Sequence, residues 1–365
     1  MRVEKLKFSD VFDDITRQGT KIQANQYLVC GKYQIIDQSQ NDIAGYTNQE
    51  EGLFTDIPAI VFGDHTRVIK YVDKPCFLGA DGVKLLRAKD SKANYKYLYY
   101  VLTNAKIPDT GYNRHFKWLK EINIPLYDEE TQNNIVKELE KVTNLIDKRK
   151  KQLEKLDELV KSRFVEMFGD PKINIKGWTI KTLEKMSCLI TDGEHATPKR
   201  TTEGIYLLSA RNVLNHTLQL YDVDYIDQRE YDRISRRVMP KEGDVLISCS
   251  GTVGRCCSVP SDLKFQMVRS VALVRFNEEI NPIFAEYMIT SDYLQEQINS
   301  SKTASSQSNL FQGKIRLLKG FVPPIELQTQ FADFVKQVDK SKFEIKQSLE
   351  KLELLKKALM QKYFG

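Results

Sequence analysis

Apolar residues recur along two stretches of the chain in steps that alternate between four and three positions. This spacing is a heptad repeat, and it predicts two long amphipathic helices, each with one narrow apolar seam. The seams consist of Ile135, Leu139, Val142, Ile146, Leu153, Leu156 and Val160 in the first stretch, and of Val335, Val338, Ile345, Leu349, Leu352 and Leu359 in the second.

Charged residues fill three of the seam positions. Arg149 interrupts the first seam, and Lys342 and Lys356 interrupt the second. Their long stems can cover apolar surface while the charge stays in water. We therefore expect the seams to continue through these positions.

The two seams lie in the two copies of one repeated segment. The first copy contains Ile124-Pro125, Thr131-Gln132 and the closing Phe168-Gly169; the second contains Val322-Pro323, Thr329-Gln330 and Phe364-Gly365. Aligned in this way, the copies are 198 residues apart at the front and 196 at the back. The alignment predicts that about two residues were lost between the copies. A stretch of similar size precedes each copy, so the order is globule, helix, globule, helix.

The first helix is predicted to run from about residue 129 to 167. Glu129 and Glu130 suit a helix start, and Gly169 before Asp170-Pro171 is a strong stop. Such a helix is about 57 Å long, and a narrow seam of that length needs a partner. Its own globule or another chain would serve. Equal lengths and matching stops favour antiparallel pairing of the two helices, which relates the halves by a pseudo-twofold axis.

The globules are predicted to be α+β domains, because short apolar strands in each are followed by one helical aromatic segment. The helical segments are Tyr95–Leu102 and Phe284–Ile289. We expect a first domain over 1–128, a long helix over 129–169, a second domain over 170–325 and a distal helix over 326–365.

Composition excludes several classes of protein. The net charge of +6 is compatible with a polyanionic partner but does not require one. The six cysteines include no C-x-x-C pair, which argues against a zinc site and favours reduced thiols in a cytoplasmic protein. No apolar run is long enough for a membrane span, and no signal peptide is recognisable at Met1.

Two polar loops, one per globule, carry side chains suited to the edges of bases. They are Gly111–His115 and Ser305–Asn309. Asn, Gln and Arg make bidentate contacts with base edges, and a Ser hydroxyl can bond to donor or acceptor groups of a base. Ordinary solvated surface has the same composition. The candidate DNA-binding residues are Asn48, Tyr112, Asn113, Arg114, His115, His195, Lys199, Arg200, Arg211, Arg255, Ser306, Gln307 and Asn309.

No recognisable catalytic constellation stands out. The chain has no G-x-S-x-G elbow, no H-E-x-x-H pair and no N-P-P-aromatic tetrapeptide. Gly251–Gly254 lacks the Gly-Lys-Ser/Thr ending of a phosphate loop and is predicted to be a hairpin turn; Arg255 beside it is a plausible phosphate contact. We assign no catalytic, cofactor-binding or metal-binding residue.

The repeated segments resemble the specificity subunit of type I restriction–modification systems over essentially the whole chain. Both the junctions into the helices and the Leu153–Asp157 and Leu349–Glu353 repeats resemble that family. Gly243–Ser248 with Gly251–Gly254, and Asp192–Pro198, are similar to its target recognition domains. In the first globule, Ile43–Asn48 and Phe77–Gly82 resemble a different subtype, which implies two unlike half-sites.

The resemblance implies a non-catalytic subunit. Each globule would read one half of a bipartite, asymmetric target in double-stranded DNA. The helices would fix the gap and dock two modification (methyltransferase) subunits. S-adenosylmethionine, ATP and Mg would be bound by those subunits and by restriction (translocase) subunits, with no membrane involved. A two-headed protein-binding scaffold, and a nuclease or methyltransferase with a dispersed site, remain the alternatives.

Overall fold

The structure, a computed structural model, describes residues 3–301 and 309–365. It divides into two compact units. Unit 1 comprises Met1–Lys150 with Lys346–Gly365, and unit 2 comprises Lys151–Ile345. Each long helix therefore contributes one part to unit 1 and the other part to unit 2.

The secondary structure of unit 1 is mixed. Its strands are β1 (Glu4–Lys7), β2 (Phe12–Asp14), β3 (Lys21–Ile22), β4 (Tyr33–Ile36), β5 (Gly45–Thr47), β6 (Ala59–Gly63), β7 (Ile69–Val72), β8 (Cys76–Gly79), β9 (Val83–Ala88) and β10 (Asn123–Leu126). Its helices are α1 (Phe8–Val11), α2 (Tyr95–Thr103), α3 (Phe116–Leu119), the first part of α4 (Glu129–Phe168) and the last part of the C-terminal long helix.

Unit 2 repeats this mixture. Its strands are β11 (Thr179–Thr182), β12 (Ser187–Asp192), β13 (Arg200–Thr201), β14 (Ile205–Leu208), β15 (Val213–Leu214), β16 (Thr217–Leu218), β17 (Asp224–Ile226), β18 (Val245–Ser248), β19 (Cys256–Ser258), β20 (Phe265–Met267), β21 (Val271–Phe276) and β22 (Lys319–Val322). Its helices are the second part of α4, α5 (Leu183–Met186), α6 (Gln228–Ser235), α7 (Pro282–Thr290), α8 (Asp292–Ser300), α9 (Gln312–Leu317) and the first part of α10 (Ile325–Phe364).

The sheets of the two units follow the same plan. An antiparallel sheet has the order β2-β9-β6-β7 in unit 1 and β12-β21-β18-β19 in unit 2. Each unit also has a mixed sheet, in which β8 pairs in parallel with β3 and β4 in unit 1, and β14 pairs in parallel with β20 in unit 2. A two-stranded ribbon, β1 with β10 or β11 with β22, leads into the long helix. The predicted α+β fold with two related domains and two long helices is confirmed.

The repeat has a constant offset in the structure. The long helices begin at Glu129 and Ile325 and end at Phe168 and Phe364, 196 residues apart at both ends. The strands before them, β10 and β22, keep the same spacing. The alignment of Thr131-Gln132 with Thr329-Gln330 was therefore wrong by two positions, and the structural counterpart of Gln132 is Gln328.

Each helix start is fixed by a side chain near its first turn. The carboxylate of Asp128 accepts a hydrogen bond from the Thr131 N–H at 2.8 Å, which caps α4. Hydrogen bonds from Thr131 hold the pKa of Asp128 below its usual value. The amide of Gln132 donates to the Tyr127 carbonyl at 2.8 Å, and that of Gln328 donates to the Pro323 carbonyl at 2.8 Å. The glutamines thus tie the helices to the preceding strands.

Within each unit the two helix segments run antiparallel. In unit 1, Tyr363 donates to Glu138 at 2.6 Å, and Lys150 lies 4.0 Å from Glu353, so positions rise on α4 as they fall on α10. In unit 2, Lys342 forms an ion pair with Asp157. The predicted packing of the two long helices is confirmed.

The helix segments also close the core of the globule in each unit. Ile135 and Leu139 of α4 and Met360 of α10 are buried in one cluster with Tyr97 of α2. In unit 2, five phenylalanines from α4, α7, β22 and α10 form an aromatic cluster with ring centroids 4.8 to 6.3 Å apart; they are Phe164, Phe168, Phe284, Phe321 and Phe331. Packing on the globule and helix pairing are thus parts of the same core.

The charged seam positions differ from the expectation. The side chain of Lys342 is only 17% exposed, and its ammonium pairs with Asp157 and, at 3.7 Å, with Asp339. It is therefore neutralised by carboxylates rather than left in water. Burial lowers the pKa of Lys356, and Asp147 opposes that shift. Such polar layers favour one register over its alternatives.

Candidate nucleic-acid interface

In unit 1 the turn between β6 and β7 packs against the polar loop that precedes α3. Asp64 at the end of the β6 strand organises the contact. Its carbonyl accepts from the His115 N–H at 2.7 Å, and its carboxylate accepts from the Phe116 N–H at 2.7 Å. Because Asp64 is buried, these bonds are shielded from water and fix the loop to the turn.

His115 belongs to this internal contact. The residue is 0% exposed, its Nδ1 lies 3.0 Å from the Asp64 carbonyl oxygen, and its Nε2 lies 3.3 Å from the Thr110 hydroxyl. A duplex cannot reach the ring in this conformation. We therefore remove His115 from the candidate contacts and assign it to positioning the loop.

The outer face of the same loop carries an ordered aromatic pair. The ring of Tyr112 stacks on that of His65 with centroids 4.5 Å apart and planes 7° from parallel. Tyr112 is 87% exposed, so the stack orients it without covering it. Asn113 and Arg114 follow and are exposed. Tyr112, Asn113 and Arg114 thus form one exposed surface on this loop, which we call the Tyr112 surface.

An ion pair closes the base of this loop. Arg67, in the β6–β7 turn, lies 2.7 Å from Asp109. Hydrogen bonding from the Gly111 N–H and from Arg67 holds the pKa of Asp109 below its usual value. Asn48 lies elsewhere in unit 1, after β5, where its side chain accepts from the Lys32 N–H at 2.9 Å. No contact among the described residues joins Asn48 to the Tyr112 surface.

Unit 2 places the corresponding turn and loop together in the same way. The Leu310 N–H donates to the Cys249 carbonyl at 2.9 Å, and Ser250 forms a β-bridge with Asn309. Asn309 therefore lies beside the turn between β18 and β19. Ser306 and Gln307, the other candidates in this loop, lie outside the described residues.

The β18–β19 turn borders a cleft of about 490 Å³. Arg255 and Ser250 line it, together with Arg211 from the 3-10 helix Ala210–Asn212. Arg211 lies 3.2 Å from Asp224, which also holds Arg200 at 3.1 Å. The structure thus brings Arg200, Arg211, Arg255 and Asn309 onto one surface.

The Asp192–Lys199 segment is held by ion pairs with α6 and the residues after it. Asp192 contacts His195 at 2.7 Å and Arg237 at 2.8 Å. Glu194 accepts from the Ala196 N–H at 2.8 Å. His195, Lys199 and Arg200 remain exposed beside this network. Acidic groups therefore fix the segment, and basic groups face outward.

Arg233 of α6 bridges two buried carboxylates behind this segment. It contacts Glu230 at 2.9 Å and Glu194 at 3.6 Å. Hydrogen bonds from Arg233 hold the pKa of Glu230 below its usual value. Glu230 also accepts from the Lys199 N–H at 3.2 Å, so its charge anchors the end of the segment.

Sequence reasoning missed the residues that organise these surfaces. Asp64, His65, Arg67 and Asp224 were not singled out, although each contacts a candidate residue or shapes its loop. Asp64 directly follows an apolar strand, a position where a carboxylate often accepts N–H groups of a turn. That signal was available. The pairing of Asp224 with two distant arginines depends on tertiary structure and left no local trace.

Over the described parts of the chain, no group of three or more His, Cys, Asp or Glu side chains could hold a metal ion. Within the same residues, no helix combines the length and apolar content needed to cross a bilayer.

Comparison with known proteins assigns the chain to a family. Residues 2–158 and 213–356 match the family described as Type I restriction modification DNA specificity domain. The two matches fall in the two repeats and together cover most of the sequence. The chain belongs to the type I restriction modification DNA specificity family.

Solved structures share the fold over the full length. The S subunit of a type I restriction–modification system from M. genitalium has 17% identity and a TM-score of 0.62, with 100% of this chain and 96% of that chain covered. A chain from work on complex assembly and conformational transition of the type I R-M system has 16% identity and a TM-score of 0.54, with 99% and 97% covered. At these identities the likeness establishes the fold alone.

Proposed function

We propose that this protein is the DNA-recognition subunit of a type I restriction–modification complex and that each unit reads one half of a bipartite target. The observation that carries the proposal is the recurrence of one arrangement. In each unit a hairpin turn and the loop before the last strand meet at one exposed surface. Family membership supports the same conclusion, because specificity for DNA is what defines the family.

The different chemistry of the two surfaces supports an asymmetric target. Unit 1 presents Tyr112, Asn113 and Arg114, whereas unit 2 presents His195, Lys199, Arg200 and Asn309. Base edges are distinguished by the donors and acceptors placed against them. Two surfaces that differ in side-chain type would therefore select different base sequences.

The long helices would set the gap between the half-sites and dock two modification subunits, one on each repeat. Forty residues of α-helix span about 60 Å, against about 34 Å for one turn of DNA. A spacer of this length fits half-sites one to two turns apart. Linking two weak readers through a stiff spacer raises their joint affinity by effective concentration.

We assign no reaction to this chain. The modification subunits would bind S-adenosylmethionine and methylate adenine. Restriction subunits would add ATP- and Mg-dependent translocation and cleavage. In this proposal the present chain recognises the target sequence on double-stranded DNA and provides the docking surface for its partner subunits.

Mapping of methylated adenine tests the proposal. DNA from cells that express this chain with its cognate modification subunit is compared with DNA from cells that lack this chain. The expected result is methylation in one split motif with a constant gap. Assembly of the complex without any new methylated motif would contradict DNA specificity and favour a protein-binding scaffold.

Exchange of one globule is the matched control. Replacing the second globule with that of a relative should change one half of the motif and leave the other half and the gap unchanged. A change in both halves would contradict the assignment of one half-site to each unit.

A further inference from the structure

We infer that the cleft between the β18–β19 turn and the 3-10 helix Ala210–Asn212 binds a phosphodiester of the DNA backbone, with Arg255 as its principal contact. The inference rests on the proposed function, because it requires a duplex bound at unit 2. It assigns this part of the surface to anchoring rather than to reading bases.

The lining of the cleft suits an anion. Two arginines line it together with serine and threonine residues; the lining includes Arg211, Arg255, Ser209, Ser250, Thr252 and Ser270. Among the described residues that line the cleft there is no carboxylate. Guanidinium and hydroxyl groups are the common donors to phosphate oxygens.

Arg255 is held in place through its backbone. Its N–H donates to the Ser248 hydroxyl at 3.0 Å, and its carbonyl accepts from the Ser248 N–H at 2.9 Å. Ser248 is fully buried, so the turn around Arg255 is preorganised. The guanidinium has no ion-pair partner in the part of the chain that the structure describes. A positive charge on a rigid turn is therefore available to a ligand.

Arg211 is already engaged and plays a narrower part. One of its nitrogens lies 3.2 Å from Asp224 and 3.7 Å from Asp222. This occupies part of the planar fork that a bidentate contact with guanine would use. The remaining donors of Arg211 can still contact a phosphate oxygen. Arg211 thus suits a second, weaker contact to the same anion.

The β18–β19 turn is also open to close approach. Gly251 has φ +68°, and a Cβ at this position would meet nothing within 4 Å. Among the described residues, the space beside Gly251 is therefore open. The equivalent turn in unit 1 is different, because its Arg67 is paired with Asp109. The arginine of that turn is therefore already neutralised by a carboxylate, unlike Arg255.

The test measures binding of the complete complex, with its modification subunits, to a duplex containing the mapped target over a range of salt concentrations. We expect Arg255→Ala to lower affinity roughly tenfold at low salt. The slope of log K against log salt should become shallower by about one unit, as for one lost phosphate contact. Arg255→Lys should restore most of the slope, because the charge is kept.

Two further variants sharpen the comparison. Arg211→Ala should reduce the slope by less than Arg255→Ala. Arg229→Ala removes the same charge from an exposed position on α6 that does not line the cleft, and it serves as the control. If Arg229→Ala lowers the slope as much as Arg255→Ala does, net charge explains the effect and the inference is wrong.

Neutral methylphosphonates placed singly along the duplex locate the contact. At one position near the half-site read by unit 2, the substitution should weaken the wild-type complex but leave the Arg255→Ala complex unchanged. The methylated motif should be the same for both. Relaxed preference at one base pair in Arg255→Ala would show base reading and overturn the inference.

Failure of this inference differs from failure of the proposed function. A wild-type complex that shows no preference for any DNA sequence contradicts the proposed function. A wild-type complex that binds its motif, with a salt slope that Arg255→Ala does not alter, contradicts only the phosphate anchor.

Discussion

At the scale of single residues, neighbouring positions in one loop have opposite tasks. The ring of His115 is buried and hydrogen-bonded to the Asp64 carbonyl, whereas the ring of Tyr112 is exposed and stacks on that of His65. Both residue types are common in nucleic-acid interfaces, so the sequence alone could not separate them. Burial separates them, and burial depends on how the loop folds against a distant hairpin.

The pair His115→Ala and Tyr112→Ala tests this separation. His115→Ala should destabilise unit 1 by roughly 2–4 kcal/mol, because it removes a fully buried ring and its bond to the Asp64 carbonyl and leaves a cavity. Tyr112→Ala should leave the melting temperature unchanged and lower DNA affinity roughly three- to tenfold. Thermal denaturation and binding assays on both variants check the prediction; unchanged stability of His115→Ala would contradict the positioning role.

Asp14 gives unit 1 a specific pH dependence. Burial alone would raise the pKa of Asp14, but hydrogen bonds from Thr16 and the ammonium of Lys84 outweigh it and hold the pKa below 3.8. A carboxylate with a depressed pKa stabilises the fold above its unfolded pKa, and this stabilisation is lost as the pH falls through the folded value.

Asp14→Asn should therefore lower the melting temperature at pH 7 and have progressively less effect below about pH 4. The neighbouring Asp13→Asn is the control, because Asp13 has only a longer contact of 3.8 Å to Lys89. Melting curves from pH 7 to pH 3 measure the difference. A deficit in Asp14→Asn that persists undiminished at pH 3 would show that the cause is not its charge.

At the scale of elements, Gln132 and Gln328 occupy equivalent positions at the starts of the two long helices but make different numbers of hydrogen bonds. Gln328 is fully buried and bonds to the carbonyls of Pro323 and Glu279 and to the N–H of Asn281. Gln132 makes one corresponding bond, to the Tyr127 carbonyl. The junction in unit 2 is therefore fixed at more points.

Matched substitutions test the difference. Gln328→Ala should cost roughly 2–4 kcal/mol, because a fully buried side chain and its three bonds to backbone groups are lost, while Gln132→Ala should cost about 1 kcal/mol. Denaturant titrations of the two variants give both values. Equal losses would show that the extra bonds of Gln328 add nothing to stability.

The elements that the sequence predicted best are those with long periodic patterns. Both long helices and the helices α2 and α7 lie where apolar spacing placed them. The repeat alignment failed by two positions because Thr-Gln occurs in both segments at different distances from the helix start. The mixed sheets were not predicted, since strands as short as Lys21–Ile22 carry no periodicity and pair in parallel with distant segments.

At the scale of the whole molecule, each long helix contributes residues to both units. The seam residues predicted from the sequence fall into two groups. The buried ones are Ile135, Leu139, Val142, Ile146, Val160, Val335 and Val338, and the half-buried ones are Leu153, Leu156, Ile345, Leu349, Leu352 and Leu359. Polar layers at Lys342 and Lys150 accompany the less buried part. The sequence predicted the pairing but not these ion pairs, because the partner of each charge lies on the other helix.

Insertion of seven residues at matched positions in both helices tests the spacer role. Seven residues add about 10 Å, equivalent to roughly three base pairs of DNA. Methylation mapping should therefore find both half-sites unchanged and the gap longer by about that number. Selection of the original gap by the lengthened protein would contradict the spacer role.

The division of α10 between the two units has a consequence for synthesis. Residues 346–365 belong to unit 1, and Tyr363 and Phe364 pack against Glu138 and Tyr97 across more than 200 positions of chain. The ribosome synthesises these residues long after the first globule has emerged. The apolar side chains of Ile135 and Leu139, which pack with Met360 in the finished protein, therefore stay exposed while unit 2 is synthesised. A frameshift near residue 346 would consequently damage the half of the protein made first.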